Sequence, residues 1–397
     1  MKRRADDLVV FLGPSLPAAE AHKLAPCTVL PPARQGDVWR ALSLKPRALV
    51  LVDGVFEAQP SVWHHELLAA MEAGVAVFGG GSMGALRAAE LSAHGMVGVG
   101  RIFGWYRDGV VVDDAEVALL HADAEHGWRP LTVPLVNVRH EAERARKARV
   151  LGRSGAQALV DAAASLFYQE RTWARIREAV APAWSGPTLA AWDAWFAQGV
   201  EDLKRLDAIA CVRSAAEFVS LSDPAAPGAL ATPGARRNPS SLVRRRRLVE
   251  DVTRVGGRAV DSGRVLELLR SAPDAAAWAE AGLRRALLAG WVRSLGLTVT
   301  DEEVATEEAA WWKERGVRGS RREAFLAASG LDGPGLRQLC ETRALERLAL
   351  AQASRLLPDG PSWDEALASE ARLGGQWEQA ARALLTNDPD SDEAGGD

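Results

Sequence analysis

The sequence predicts an α/β protein: a Rossmann-like parallel sheet with helices on both faces, followed by a mostly α-helical C-terminal half. Two observations carry this. Short Val- and Leu-rich runs alternate with helical stretches from residue 8 to about residue 140. From about residue 141 the apolar residues recur at helical spacing instead. Strands are expected at Leu8–Leu12, Thr28–Leu30, Ala48–Val52 and Val75–Phe78, with helices near 17–24, 35–43 and 61–73. Three strands run into loops of unusual composition: Gly13-Pro14-Ser15, Asp53-Gly54-Val55-Phe56 and the Gly79–Gly84 turn. In open parallel sheets ligands bind beyond the carboxyl ends of the strands, so these loops are expected to gather at one rim.

The second half divides by composition. Residues 1–140 are expected to form the α/β core and 141–222 a helical extension packed on it. A Pro/Gly-rich linker follows at 223–240, then a helical C-terminal domain at 241–387 and an acidic tail at 388–397, expected to be disordered. Leu159, Ala163, Leu166 and Phe167 share one helical face, as do Leu283, Leu287 and Trp291. Thr300-x-x-Glu303 and Ser320-x-x-Glu323 read as capping boxes.

Composition narrows the function classes. Of 397 residues, 48% are apolar and 25% charged, which is a soluble globular balance. A net charge of −4 argues against a general nucleic-acid binder. Cys27, Cys211 and Cys340 have no paired spacing, which implies a reducing compartment without a disulfide framework or zinc cluster. The Met1-Lys-Arg-Arg start mimics the charged end of a signal peptide. The apolar run behind it stops after five residues, so it reads as a first strand. No stretch of eighteen uninterrupted apolar residues occurs, so no membrane span is expected and a cytoplasmic location is inferred. All seven histidines fall in the first 140 residues, which marks that region as the chemical one.

The chemistry concentrates at Val75–Leu91. Gly80-x-Ser82-x-Gly84 fits a nucleophile elbow, in which small neighbours let a serine sit on a sharp turn. The same letters read Gly79-x-Gly81-x-x-Gly84, a dinucleotide fingerprint. That fingerprint should follow the first strand and precede an acid by about 20 residues. Here it follows the fourth, and Val99, Gly100 and Arg101 stand where the acid should be. For the elbow, Ser61 is expected to cap a helix with His64 in its first turn, where the helix dipole keeps the imidazole neutral. Asp53 is the candidate to orient His64, and Glu66 a second. Ser82 as a plain helix cap is the competing reading. His64-x-Glu66 lacks the Cys-x-x-Cys of a zinc deaminase. Asp113 and Asp114 could hold a cation or cap the next helix. Arg236, Arg237 and Arg244–Arg247 form a basic run able to dock an acidic partner.

Several blocks resemble the TfuA family core domain. They are Phe11-Leu-Gly13-Pro-Ser15-Leu-Pro, Pro31-Pro32-Ala33-x-x-Gly36-Asp37, Asp53-Gly54-Val-Phe56 and Val62-Trp63-His64-x-Glu66. Ser82-Met83-Gly84-Ala-Leu-Arg87-Ala-Ala-Glu90-Leu, Gly95-Met96, Tyr106-Arg107-Asp108-Gly109 and Asp113-Asp114-x-Glu116-Val continue the order. Lys204-Arg205-x-Asp207-Ala208 extends it into the helical middle, while the C-terminal helices resemble peptide-binding chaperone helices only loosely. The resemblance implies a partner of a YcaO enzyme in peptide-backbone thioamidation. That partner releases sulfide from the C-terminal thiocarboxylate of a ThiS-like carrier protein, the substrate precursor peptide being a further candidate partner. No metal or cofactor is implied. Acyl transfer of this kind wants a nucleophile, a base and an oxyanion site. Ser82, His64 and Asp53 are the expected catalytic residues. Gly13, Ser15, Gly80, Gly81, Met83, Gly84 and Arg87 are the expected substrate and oxyanion contacts. Trp63, Glu66, Glu90, Tyr106, Asp113 and Asp114 complete the motif set. Direct attack by water, with Ser82 only binding, is the alternative chemistry, and a non-catalytic YcaO-activating partner the alternative function. Gly80 and Gly81 stand where alanine is frequent in the family, and His65 where lysine is usual.

Overall fold

The computed structural model describes residues 4–55, 59–221, 241–353 and 361–386. Its N-terminal part is a five-stranded parallel sheet built from β1 (Leu8–Phe11), β2 (Thr28–Leu30), β3 (Ala48–Leu51), β4 (Ala76–Gly80) and β5 (Val97–Val99). The strand order is β2-β1-β3-β4-β5, with register Val10 to Val29 and Val50, Val50 to Phe78, and Gly79 to Gly98. The four expected strands are present with ends shifted by a residue or two. The fifth, Val97–Val99, carries a glycine at its centre and has no apolar run to announce it.

The helices that sandwich the sheet are α1 (Ala18–Leu24), α2 (Asp37–Leu42), α3 (His64–Glu72), α4 (Met83–Leu91) and α5 (Arg101–Arg107). Next come α6 (Leu135–Lys147), α7 (Arg153–Ala164), α8 (Trp173–Val180), α9 (Gly186–Phe196) and α10 (Leu203–Leu221). Successive strand side chains point to opposite faces, and the two cores follow that alternation. Leu8, Val10, Val50 and Phe78 pack with Ala21 of α1 and Ala208, Cys211 and Ala215 of α10. Val9, Phe11, Leu49 and Val77 pack with Val38 of α2, Leu67 of α3 and Met83, Ala88 and Leu91 of α4. Both faces are therefore covered, as the near-continuous apolar strands require.

A third core joins α6 to α9 through Val138, Leu159, Ile176 and Trp192. Leu159 and Ala163 are buried as their spacing predicts, whereas Phe167 at the end of that face is exposed.

The chain divides into two compact units, the first comprising Met1–Val252 with Val260–Arg264. The helical stretch after residue 141 groups with the sheet. So does the helix Ser241–Glu250, which composition had assigned to the second domain: Arg40 of α2 donates to its Glu250 at 2.7 Å. The second unit is helical, with Ala275–Ser294, Asp301–Arg315 and Gly333–Ala351 sharing two small cores. Thr300 caps its helix through the reciprocal bonds with Glu303, whereas Ser320 makes no side-chain cap. Leu283 and Leu287 are exposed, whereas Trp291 on the same face packs against one of these cores. The linker 223–240, the acidic tail 388–397, Phe56, Arg236 and Arg237 lie outside the described residues. No described helix is long and apolar enough to cross a membrane.

Candidate active site

The order β2-β1-β3-β4-β5 reverses direction between β1 and β3, and the loops leaving these strands diverge to opposite faces there. Such a switch point is where doubly wound sheets open a ligand crevice. In this chain it is filled by a side chain of its own. Asp53, at the end of β3 and 1% exposed, accepts from the backbone of Gly13 at 2.8 Å and of Ser15 at 3.0 Å. The Ser15 hydroxyl donates to its other oxygen at 2.6 Å. The amides expected to bind substrate are thus satisfied by an internal carboxylate, and Asp53 does not orient His64.

Ser82 occupies the N-cap position of α4 and is 2% exposed, but its hydroxyl caps nothing. The glycines around it serve packing. A Cβ on Gly84 would stand 1.8 Å from the Leu51 carbonyl oxygen, because α4 leaves the sheet directly across β3. Gly81 has φ +72°, and a Cβ there would meet the Lys204 carbonyl at 3.0 Å, since α10 begins over the turn. The turn amides are also occupied: Ser82 donates to the Gly80 carbonyl at 2.8 Å and Gly84 to that of Val52 at 3.0 Å. These two amides are not available to an oxyanion in this arrangement. Met83 is buried in the core of its face.

His64 opens α3, which starts three residues after Ser61; Ser61 bridges to Arg34 instead of capping the helix. The imidazole is partly exposed and bonds not to Ser82 but to Glu90: Nε2 lies 2.8 Å from Glu90 Oε2. The same oxygen accepts from Arg87 Nη1 at 2.7 Å, and Arg87 Nε donates to the Val62 carbonyl at 3.3 Å. Arg87 and Glu90 stand one turn apart on α4 and so share a face. Beside them opens a cavity of about 540 Å³ lined by Ser61, Leu86, Arg87, Glu90, Val112, Asp113 and Asp114. Asp113 Oδ1 accepts from the Ala115 amide at 2.9 Å, so it caps the short turn that follows. The Tyr106 hydroxyl donates to the Asp113 carbonyl at 2.9 Å and fixes that wall. Burial and the neighbouring Asp113 carboxylate push the Asp114 carboxyl up, against a smaller pull from Arg87. Burial, with the surrounding carboxylates, raises the Tyr106 phenol well above its ordinary range.

Trp63 and Glu66 build the support behind this wall. Glu66 is fully buried and accepts from the Trp63 amide at 3.1 Å and the Val38 amide at 3.2 Å. One carboxylate therefore caps both α3 and α2. Desolvation raises its pKa to about 7, outweighing the amides that favour the charge.

The motif residues thus fall into two groups. Gly13, Ser15, Asp53, Gly80, Gly81, Ser82 and Gly84 form a buried, internally bonded rim. Ser61, Arg87, Glu90, Asp113 and Asp114 line an open charged cleft, with His64 bonded to Glu90 at its edge. Lys204, which the residue-level reading left without a role, is fully buried, with its ammonium held by the Val117 carbonyl at 2.9 Å. Burial lowers its pKa against the pull of Asp53. Asp207, buried one turn later, accepts from the Ile102 amide at 2.7 Å and so caps α5 from α10. Among the described residues no group of three or more His, Cys, Asp or Glu side chains could hold a metal ion.

Fold and cleft together define a doubly wound α/β domain whose open, charged site lies where the start of α3 meets the second turn of α4, rather than at the switch point. The family model described as TfuA-like protein matches residues 53–172, so this stretch of the chain is similar to the TfuA family. The match takes in the whole charged cleft, and it supports a TfuA-family accessory role. Gly13, Ser15 and Lys204 lie outside it. No curated protein matched the chain.

Proposed function

We propose that this chain is the sulfur-delivery partner of a YcaO-type enzyme and hydrolyses the C-terminal thiocarboxylate of a ThiS-like carrier. The family is generally associated with YcaO systems, which makes that enzyme the partner to test. The observation that supports hydrolysis is the His64–Glu90–Arg87 trio at the edge of an open cavity within the TfuA-like stretch. The balanced reaction is RCOS⁻ + H₂O → RCOO⁻ + H₂S. His64 takes a proton from water as it attacks the thiocarboxyl carbon and returns that proton to the sulfur as the tetrahedral oxyanion collapses. HS⁻ leaves, takes up the acid's proton and departs as H₂S, while His64 is regenerated. Arg87 supplies positive charge to an anionic carrier tail. Water is favoured over Ser82 as nucleophile because Ser82 is buried and has no hydrogen bond to a base.

The internally satisfied turn favours a second reading, a non-catalytic partner that recruits carrier or precursor peptide to YcaO. Purified chain incubated with thiocarboxylated carrier, without YcaO, separates the two. Sulfide release abolished by His64→Ala supports hydrolysis. No release alone, together with full stimulation of YcaO, supports recruitment.

A further inference from the structure

The cleft contains a carboxylate whose placement goes beyond capping or surface solvation. Glu90 projects from the second turn of α4, and its Oε2 takes two donors at once, His64 Nε2 at 2.8 Å and Arg87 Nη1 at 2.7 Å. A carboxylate oxygen flanked by a guanidinium is an acceptor, so the imidazole must present N–H at Nε2. His64 Nδ1 has no partner among the described residues. Arg87 is itself anchored, through Nε to the Val62 carbonyl just before α3. The hydrogen bonds therefore run from α4 to both the backbone entering α3 and the ring that α3 carries. His64 cannot rotate without breaking the bond to Glu90.

We propose that Glu90 is the positioning residue of this site: it fixes His64 as the Nε2–H tautomer and leaves Nδ1 as the proton acceptor. This rests on the hydrolytic reading for its consequence in catalysis, but not for its geometry. In the reaction Nδ1 receives the proton of the attacking water, and Glu90 stabilises the imidazolium that results without itself becoming protonated, as an acid beside a catalytic histidine does. Arg87, bonded to the same oxygen, holds the Glu90 carboxylate aimed at His64. The alternative assignment, orientation by Asp53, is replaced because both Asp53 oxygens are committed to Gly13 and Ser15.

Two readouts test this on the full chain. The first needs no activity: nitrogen NMR of ¹⁵N-histidine-labelled protein at about pH 8.5, where imidazole is ordinarily neutral, with His64 assigned by His64→Gln. Expected is a single Nε2–H tautomer in the wild type, retained in Glu90→Gln, whose carbonyl still accepts, and lost to a mixture in Glu90→Ala. A wild-type Nδ1–H tautomer, or an unchanged tautomer in Glu90→Ala, overturns the proposal. The second readout is sulfide release, where Glu90→Ala is expected to lower kcat about tenfold or more with KM held, and Glu90→Gln to recover part of it. A wild type that releases no sulfide refutes the hydrolytic reading alone and leaves the tautomer result to decide the role of Glu90. A wild type that releases sulfide with Glu90→Ala unimpaired refutes the positioning role alone. Glu90 is partly exposed, so its removal leaves the core intact, which circular dichroism checks.

Discussion

Glu66 gives the most quantitative test of how the wall behind the cleft is built. It is fully buried, caps two helices, and carries a pKa raised from 4.5 to about 7. The sign follows from linkage. Between the two values the folded state holds a proton that the unfolded state has released, so stability falls as pH rises through this window. Below about 4.5 both states are protonated, and above about 7 both are ionised, so the penalty is constant there. At 1.36 kcal/mol per pH unit the window is worth about 3 kcal/mol. Glu66→Gln keeps one carbonyl acceptor for the two amides and removes the titration. Amide exchange, corrected for intrinsic rates, would be followed by mass spectrometry on peptides spanning α2 and α3. Wild-type protection free energy should decline from pH 5 to pH 8 by up to about 3 kcal/mol, while the variant stays flat. The curves should cross, with the variant less protected at low pH and more protected at high pH. Parallel curves would show that Glu66 is ionised throughout and that its hydrogen bonds outweigh desolvation.

Gly84→Ala must force a methyl to within 1.8 Å of the Leu51 carbonyl, and a loss of about 3 kcal/mol or more is expected by thermal unfolding. Gly104→Ala, in α5 with open space around it, should be neutral or stabilising by up to about 1 kcal/mol. Asp207→Ala should orphan the α5 amide at Ile102 and cost about 1–3 kcal/mol in the same assay. Asp53→Asn should loosen the Gly13–Ser15 loop, read as faster amide exchange there, because it loses the charge that three donors share.

The sheet was legible because β1, β3 and β4 are apolar runs buried on both faces, which only a parallel sheet with two helix layers accommodates, and β2 is a shorter apolar run at the edge. β5 was not, because a strand of three residues with a central glycine has neither length nor alternation. The residues of the cleft were legible one by one as motif members, but their pairing was not. His64 and Ser82 both follow adjacent strands, so sequence placed them side by side. Two facts decide otherwise: α3 starts at His64 rather than Ser61, and Glu90 lies one helical turn beyond Arg87. The second has a sequence signal, the Arg87-x-x-Glu90 spacing on a helix face, which would have pointed to Glu90 as the acid near His64. Gly80-x-Ser82-x-Gly84 resembled an elbow because close packing and an exposed nucleophile demand the same small residues. The contact of Gly84 with Leu51 identifies packing as the demand met here. The confinement of histidines to the first 140 residues did not mark a cluster, since His64 alone among them joins the charged cleft. Lys204 and Asp207 lie far from the sheet in sequence, and only the return of α10 across β3, β4 and β5 brings them to the rim.

The most direct measurement is sulfide released from a thiocarboxylated carrier by the purified chain, without YcaO or ATP, comparing wild type with His64→Ala and Ser82→Ala. Release by the wild type is expected, with a loss of about a hundredfold or more in His64→Ala and substantial activity retained in folded Ser82→Ala. Loss in Ser82→Ala equal to that in His64→Ala would contradict this mechanism, returning the chemistry to the glycine turn.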